Sequence, residues 1–334
     1  MEISVLSRKI LRELCTNSRE PISEISDKLG ISRYSATERI QDLEKALDLR
    51  YTLELSYDAL SFSSIHILAV KFSKKPKFDE LKSMLSKSRI VQFATTTKGD
   101  FDLLIFAVAK DKVEYVQWET ALQLALSRYG VAGSSYEVYM TRMGFLPLNN
   151  ETIMASSIKD TYKKLLTVLN DNSRMPIRSI GKKLGIDEDL VRYYMLKLEK
   201  NGVIKRFTAI VTKPSLVTNI VFFGSYTMRE GLIDRIEYER RSVFFKEPDE
   251  FPTISEIQAM WSVGGSAATF EWGAYSSYEK GMKNLVEVHR RIYEKDSVTI
   301  KSAVIDQVVK GQMPIRNLDI KENYDKTSWP VELI

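Results

Sequence analysis

The side chains best placed to do chemistry in this 334-residue chain fall into two sets. The first is Arg33, Tyr34, Ser35, Thr37 and Arg39. The second is Glu188, Asp189, Arg192, Tyr193 and Lys197, with Arg178, Lys182, Lys183, Lys205 and Arg206 around it. Each set follows a residue suited to capping a helix, Ser32 or Asp187. In the first, Ala36, Ile40 and Leu43 recur at helical spacing and turn the polar residues outward. At the exposed start of a helix, such side chains suit contact with base edges and phosphates. An Arg can fork onto a guanine, while hydroxyls and lysines can reach phosphates or thymine methyls. Glu188 and Asp189 favour the helix dipole but repel phosphate, so the surrounding cations must outweigh them. The same residues also suit a solvated helix face or a protein-docking surface.

Enzyme chemistry finds little support. The chain has two histidines, His66 in an apolar strand and His289 beside two arginines, and one cysteine, Cys15. There is no Ser-His-Asp set, no Cys/His metal spacing and no phosphate-cradling glycine loop. The expectation is a protein that is not an enzyme and carries no metal or cofactor, with Cys15 as a small core residue.

The elements that position both sets are duplicated. Asn17 to Ser32 returns as Asn172 to Asp187, with ten of sixteen positions identical and no gap. In each copy a Pro opens a short helix (Pro21, Pro176), Leu-Gly ends it, and the capping oxygen starts the next helix. That is the punctuation of a helix-turn-helix, in which the second helix enters the major groove. A preceding apolar helix (Ile3, Leu6, Ile10, Leu11, Leu14) and a following β-prone run complete a winged helix at 1–60; a second occupies 155–214, with Ile204, Phe207, Ala209 and Val211 in its wing.

Between and after them the pattern is β-α-β-β-α-β. In the first half the strands are Ile65–Phe72, Ile90–Thr97, Phe101–Ala109 and Ser134–Arg142, with helices over Phe78–Ser88 and Val113–Tyr129. In the second half they are Asn219–Thr227, Glu256–Val263, Ala267–Ala274 and Val298–Val308, with helices over Leu232–Phe245 and Ser277–Tyr293. The fold class expected is α+β: two winged helix-turn-helix domains alternating with two ferredoxin-like (βαββαβ) sheet domains. The sheet domains span 61–144 and 215–310, joined to the rest by a linker at 145–154 and followed by a tail at 311–334. Phe245 to Thr253 is an extra loop of the second half. Each sheet has a face free of helices that must be solvated or used in association.

Composition agrees with a soluble globular protein: 44% apolar, 28% charged, net +5. The start of the chain lacks signal-peptide order and no apolar run is long enough to span a bilayer, so the cytoplasm is expected. Charge is uneven. Residues 155–215 hold 13 Lys and Arg against 6 Asp and Glu, whereas residues 1–56 hold 9 against 10. The second helix-turn-helix is therefore the better candidate for phosphate contact.

The order of these elements resembles the Lrp/AsnC family, the feast/famine regulators of archaea and bacteria. Leu29-Gly-Ile-Ser followed by Thr37-Glu-Arg-Ile-Gln-Asp-Leu-Glu44 is similar to that family's L-G-L-S and L-E-R-V-x-x-L-E. In the second half Leu184-Gly-Ile-Asp and Leu196-Lys-Leu-Glu-Lys-Asn-Gly-Val-Ile204 are similar to its helix end and its run into the wing. Gly99-Asp-Phe-Asp-Leu-Leu104 matches its G-D-x-D turn. The resemblance implies sequence-specific binding to double-stranded DNA, regulation of transcription, and pairing of sheet domains across a two-fold. Here that means a homodimer or an internal pseudo-dimer. It also implies an amino-acid or similar effector at Gly99, Asp100 and Asp102, although Gly-Asp equally suits a plain hairpin turn. The chain departs from the family in having two copies, in Arg33 and Tyr34, and in Val263-Gly-Gly-Ser-Ala-Ala-Thr-Phe270, which has no carboxylate. Sirohaem decarboxylases share the two-domain plan and are the rival reading. Their histidine-rich stretch corresponds here to Ile90–Thr97, which has no His.

Overall fold

The computed structural model describes residues 4–211, 218–226, 257–265, 267, 269–275, 277–279, 281–283 and 298–311. The helix expected over Leu232–Phe245, the extra loop, most of the helix expected over Ser277–Tyr293, His289 and nearly all of the tail lie outside these residues.

The first helix-turn-helix unit is α1 (Val5–Thr16), α2 (Ile22–Leu29) and α3 (Arg33–Leu47). Strand β1 (Leu49–Leu55) follows. Gly30 ends α2 in the left-handed region at φ 64°, and the Ile31 N–H reaches back to Ser26 O at 3.0 Å. Glycine enters that conformation without steric cost, which makes it a natural stop. The Ser32 hydroxyl accepts the Ser35 N–H at 3.1 Å and starts α3. The first sheet domain then contributes β2 (Ser64–Phe72), α4 (Phe78–Ser86), β3 (Val91–Gly99), β4 (Leu103–Ala109), α5 (Lys112–Leu126) and β5 (Val131–Met143).

Residues 145–154, expected as a linker, are packed rather than free. Phe145, Leu146 and Leu148 are buried, Tyr57 Oη exchanges hydrogen bonds with both backbone groups of Leu146, and a short helix, α6 (Asn150–Ala155), follows. The second unit is α7 (Asp160–Asp171), α8 (Ile177–Leu184), α9 (Glu188–Lys200) and β6 (Ile204–Val211). It uses the same stop at Gly185 and a carboxylate cap, Asp187 Oδ1, on the Leu190 N–H at 2.7 Å. The described strands of the second sheet are β7 (Thr218–Tyr226), β8 (Ile257–Val263), β9 (Thr269–Tyr275) and β10 (Val298–Lys310).

The wings differ from expectation. Among the described residues each copy supplies a single strand, and a lone strand leaves its backbone groups unpaired. β1 and β6 meet that need together, as an antiparallel two-stranded ribbon running from Leu49↔Val211 to Leu55↔Ile204. The ribbon joins the two helix-turn-helix units, so each copy completes the other.

The sheets do the same on a larger scale. Within each half the strand order is that of a ferredoxin-like sheet: β3-β4-β2-β5 and β8-β9-β7-β10. β5 then pairs with β8, and β10 with β3, closing an eight-stranded barrel that leaves no free edge. Of the two pairings expected, the chain makes the internal one. Strand residues alternate between two cores. Leu68, Val70, Leu103 and Ile105 point outward under α4 and α5. Ile67, Ala69, Leu104 and Phe106 point inward. Inside, aromatic rings of the first half meet those of the second. Phe106 lies 5.5 Å from Phe270 and 5.9 Å from Trp272, and Tyr136 stacks on Phe223 at 4.3 Å between ring centres. These rings cover the helix-free faces that the sequence left open. Lys310, at the end of β10, donates to the carbonyls of Ser86 and Ser88 at the end of α4 and so ties the halves again.

Candidate nucleic-acid interface

The repeated Asn-Ser-Arg sits at the seam between the two helix-turn-helix units. Ser18 Oγ and Ser173 Oγ are 2.6 Å apart, one from each copy. The Ser18 N–H donates to Phe207 O at 2.9 Å and the Ser173 N–H to Tyr51 O at 3.1 Å. Arg19 lies over the Phe207 ring and Arg174 over the Tyr51 ring, at 5.7 and 5.1 Å. The Arg19 guanidinium donates to Met175 O at 3.0 Å and also to Ser173 O. Thr208 Oγ1 donates to Cys15 O at 2.7 Å, and Thr52 Oγ1 to Asn170 O at 3.0 Å. These reciprocal contacts define an approximate two-fold through the ribbon. The identity of residues 17–19 and 172–174 is the sequence signal for this seam, and it lies outside the recognition helices. Cys15 is buried there, its thiol 3.5 Å from Ala209 O.

With the units fixed to each other, α3 and α9 occupy equivalent places. Arg33 stands exposed at the first position of α3. Tyr34 is 73% exposed, its hydroxyl donating to Glu38 Oε1 at 2.9 Å. Ser35 and Thr37 are half-buried, and Thr37 Oγ1 donates back to Arg33 O at 2.8 Å. Arg39 turns instead toward α1, its Nη1 3.4 and 3.5 Å from the hydroxyls of Ser4 and Ser7.

On the second unit Arg178, Lys182 and Lys183 are exposed along α8, and Lys205 is exposed on β6. Lys182 and Lys183 also lie in the last turn of α8, where cations suit the helix dipole. Arg192 is exposed but 3.7 Å from Glu188 one turn earlier. Lys197 lies 5.6 Å over the Tyr193 ring, and electrostatic and hydrogen-bond interaction with Tyr162 and Tyr193 holds its ammonium above the usual lysine range. Asp189 is exposed at the second position of α9. Arg206 is drawn away: its Nε and Nη2 both lie 2.6 Å from Glu54 Oε2 on β1, inside the ribbon.

The Gly-Asp-Phe-Asp turn lies at a barrel seam. Gly99 has φ 141°, and a Cβ there would meet Ser302 O of β10 at 2.5 Å. Asp100 and Ser302 exchange hydrogen bonds, Asp100 N to Ser302 O at 2.9 Å and Ser302 N to Asp100 Oδ2 at 2.7 Å. Asp102 is buried; its carboxylate accepts the Phe72 N–H at 3.0 Å and pairs with Lys75 at 2.8 Å and Lys71 at 3.4 Å. Burial raises its pKa, but Lys75 and the Phe72 N–H outweigh that, leaving the carboxyl below its ordinary value. The corresponding turn of the second half packs likewise on β5, with Gly264 N donating to Glu137 O at 2.8 Å. Both turns therefore do structural work at the seams.

His66 is buried, its ring stacked on Tyr115 at 3.5 Å, with the Ser64 hydroxyl 2.9 Å from Nε2. Burial pushes its pKa down to about 4. Among the described residues no helix is long and apolar enough to cross a membrane.

Comparison with known proteins agrees with this geometry. Residues 4–44 match the AsnC-type helix-turn-helix domain, and residues 159–205 match the winged helix-turn-helix DNA-binding model. The chain is 34% identical over 78 residues to the HTH-type transcriptional regulator FL11 of Pyrococcus furiosus, an alignment covering 23% of this chain and 52% of that protein. It is 32% identical over 91 residues to the HTH-type transcriptional regulator LrpA of Pyrococcus horikoshii, covering 27% of this chain and 64% of that protein. The chain thus spans about half to two-thirds of the length of these relatives. In fold it is similar to the siroheme decarboxylase NirDL, with a TM-score of 0.60 and 13% identity over 96% of each chain. That likeness concerns the fold alone. By sequence, the chain carries an AsnC-type helix-turn-helix domain in its first half and a winged helix-turn-helix in its second, and it is similar to archaeal HTH-type transcriptional regulators.

Proposed function

We propose that the chain is a cytoplasmic, sequence-specific DNA-binding transcriptional regulator, and not an enzyme. The observation that carries the reading is the seam. Reciprocal contacts through the β1–β6 ribbon hold α3 and α9 as an approximately two-fold pair within one chain, each with polar and charged side chains exposed. Arg33, Tyr34, Ser35 and Thr37 form the base-reading set of the first copy. Arg178, Lys182, Lys183 and Lys205 supply phosphate contact in the second, and Arg192, Tyr193 and Lys197 stand exposed on its recognition helix α9. Arg39 and Arg206, engaged by α1 and by Glu54, support these helices rather than touch DNA. In vitro selection from randomised duplexes tests the reading: an enriched motif is expected, and a pool that stays random refutes it.

An amino-acid effector at Gly99, Asp100 and Asp102 is the regulatory part of the reading. Its ammonium would have to take the place of Lys71 and Lys75 on Asp102, or of the Ser302 N–H on Asp100. A thermal-shift screen of the twenty amino acids tests it, since a ligand that binds only the folded state raises the midpoint by mass action. No shift with any of them leaves the turn as a structural clasp.

The fold shared with a siroheme decarboxylase favours a second reading, an enzyme acting on a tetrapyrrole. Against it, the space between the two sheets is filled by Phe93, Phe106, Phe223, Phe270 and Trp272, all buried. Titration with sirohaem separates the readings: no saturable spectral change is expected, and a stoichiometric one overturns the non-enzyme assignment.

A further inference from the structure

Resting on the regulator reading, we infer that the operator of this chain is not a palindrome: its two half-sites present opposite hydrogen-bonding edges to the first residue of each recognition helix. A homodimer places identical residues at two-fold-related positions and so reads a palindrome. Here one covalent chain supplies both helices, and the seam fixes them as equivalents. Ser32 and Asp187 cap α3 and α9 in the same way, which makes Arg33 and Glu188 the matched first residues, both exposed. Their chemistry is reversed. A guanidinium only donates hydrogen bonds and suits the N7 and O6 acceptors of guanine. A carboxylate only accepts, and suits the amino group of cytosine or adenine.

The next position repeats the contrast: Tyr34 presents an aromatic face, its hydroxyl donating to Glu38, whereas Asp189 presents a second acceptor. A palindrome places the same base at the matched position of both helices, so a guanine there would satisfy Arg33 and set its N7 and O6 acceptors against the Glu188 carboxylate. Carboxylates at the start of α9 also repel phosphate, which the exposed Arg178, Lys182, Lys183 and Lys205 of the same unit offset. The division of labour follows. The first unit reads guanine with few cations in support, and the second reads an amino-bearing base on a strongly cationic footing.

The test begins from the sequence that the full chain selects from a randomised duplex pool. Two further duplexes are made from it, one duplicating the half-site of α3 and one duplicating that of α9. The wild-type chain should bind the selected asymmetric site about 5- to 150-fold tighter than either palindrome, the discrimination expected of one good base contact. E188R should move preference toward the α3 palindrome, and R33E toward the α9 palindrome. Both positions are exposed, and retained salt-sensitive binding to random DNA shows that each variant is folded. A wild-type chain that selects a palindrome, or binds either palindrome as tightly as the selected site, overturns the inference while leaving the regulator reading intact. A pool that enriches nothing removes the regulator reading and this inference with it.

Discussion

Replacing Arg178, Lys182 and Lys183 by Ala removes three cations from one exposed face of α8 without touching a buried group. None of the three is held by an ion pair among the described residues, in contrast to Arg192 and Arg206. Each phosphate that a protein neutralises releases counterions and contributes about 0.9 to the slope of log affinity against log salt. If all three meet phosphate, the variant's slope falls by roughly 2.7. A fourfold rise in salt, roughly 50 to 200 mM, would then weaken the wild type about 40-fold more than the variant. The effect should be equal on every sequence, because phosphates carry no sequence information. Fluorescence anisotropy on a random duplex across that salt range reads it directly. An unchanged slope would show that the cations of α8 do not face DNA, and the second unit would then be a docking surface.

Four other outcomes follow. Arg33→Ala should cost about 1–3 kcal/mol at one base pair of the selected site and little at any other, as read by a panel of single-base-pair duplexes. Trp272→Ala, which empties the middle of the barrel, should destabilise the fold by about 3–5 kcal/mol in urea unfolding. Glu54→Ala removes the carboxylate that pairs with the half-buried Arg206 guanidinium in the ribbon and should cost about 1–3 kcal/mol, whereas Lys205→Ala next to it should be near neutral. Stability should decline in acid in two stages. His66, held neutral with a folded pKa of about 4 against about 6.5 when unfolded, contributes fully above pH 6.5 and loses that contribution as pH falls toward 4. Asp102, held below its ordinary range, adds stability that is lost only lower, as pH falls below about 4 through its folded pKa. His66→Gln should flatten the upper stage in urea midpoints taken at several pH values, and an unchanged profile would contradict the burial argument.

The sequence carried the local elements well, because helix-turn-helix punctuation and alternating strands are written within a few residues of one another. Pro21, Leu29-Gly30 and Ser32 mark α2 and the start of α3, and the described strands begin and end within a few residues of their expected bounds. What it did not carry is how the halves meet. The pairing of β1 with β6 and of β5 with β8 joins residues more than a hundred positions apart, and no local pattern records a partner strand. The unbroken apolar run Ile67 to Val70 fits a strand covered on both faces, which the structure shows it to be. Nor could spacing show which cations are spent. Spacing does not record that Glu54 meets Arg206 across the ribbon, or that Lys71 and Lys75 lie on Asp102. The acidic start of α9 is legible in the sequence, but only the seam makes Glu188 the counterpart of Arg33.

The central claim is that the exposed faces of α3 and α9 read DNA sequence, and one competition titration tests it. Labelled duplex carrying the selected site is challenged with unlabelled selected and scrambled duplexes at near-physiological salt. The account predicts that the scrambled duplex competes at least about 10³-fold less well, the lower end of what specific readers achieve over non-specific binding. Equal competition by the two duplexes would contradict it.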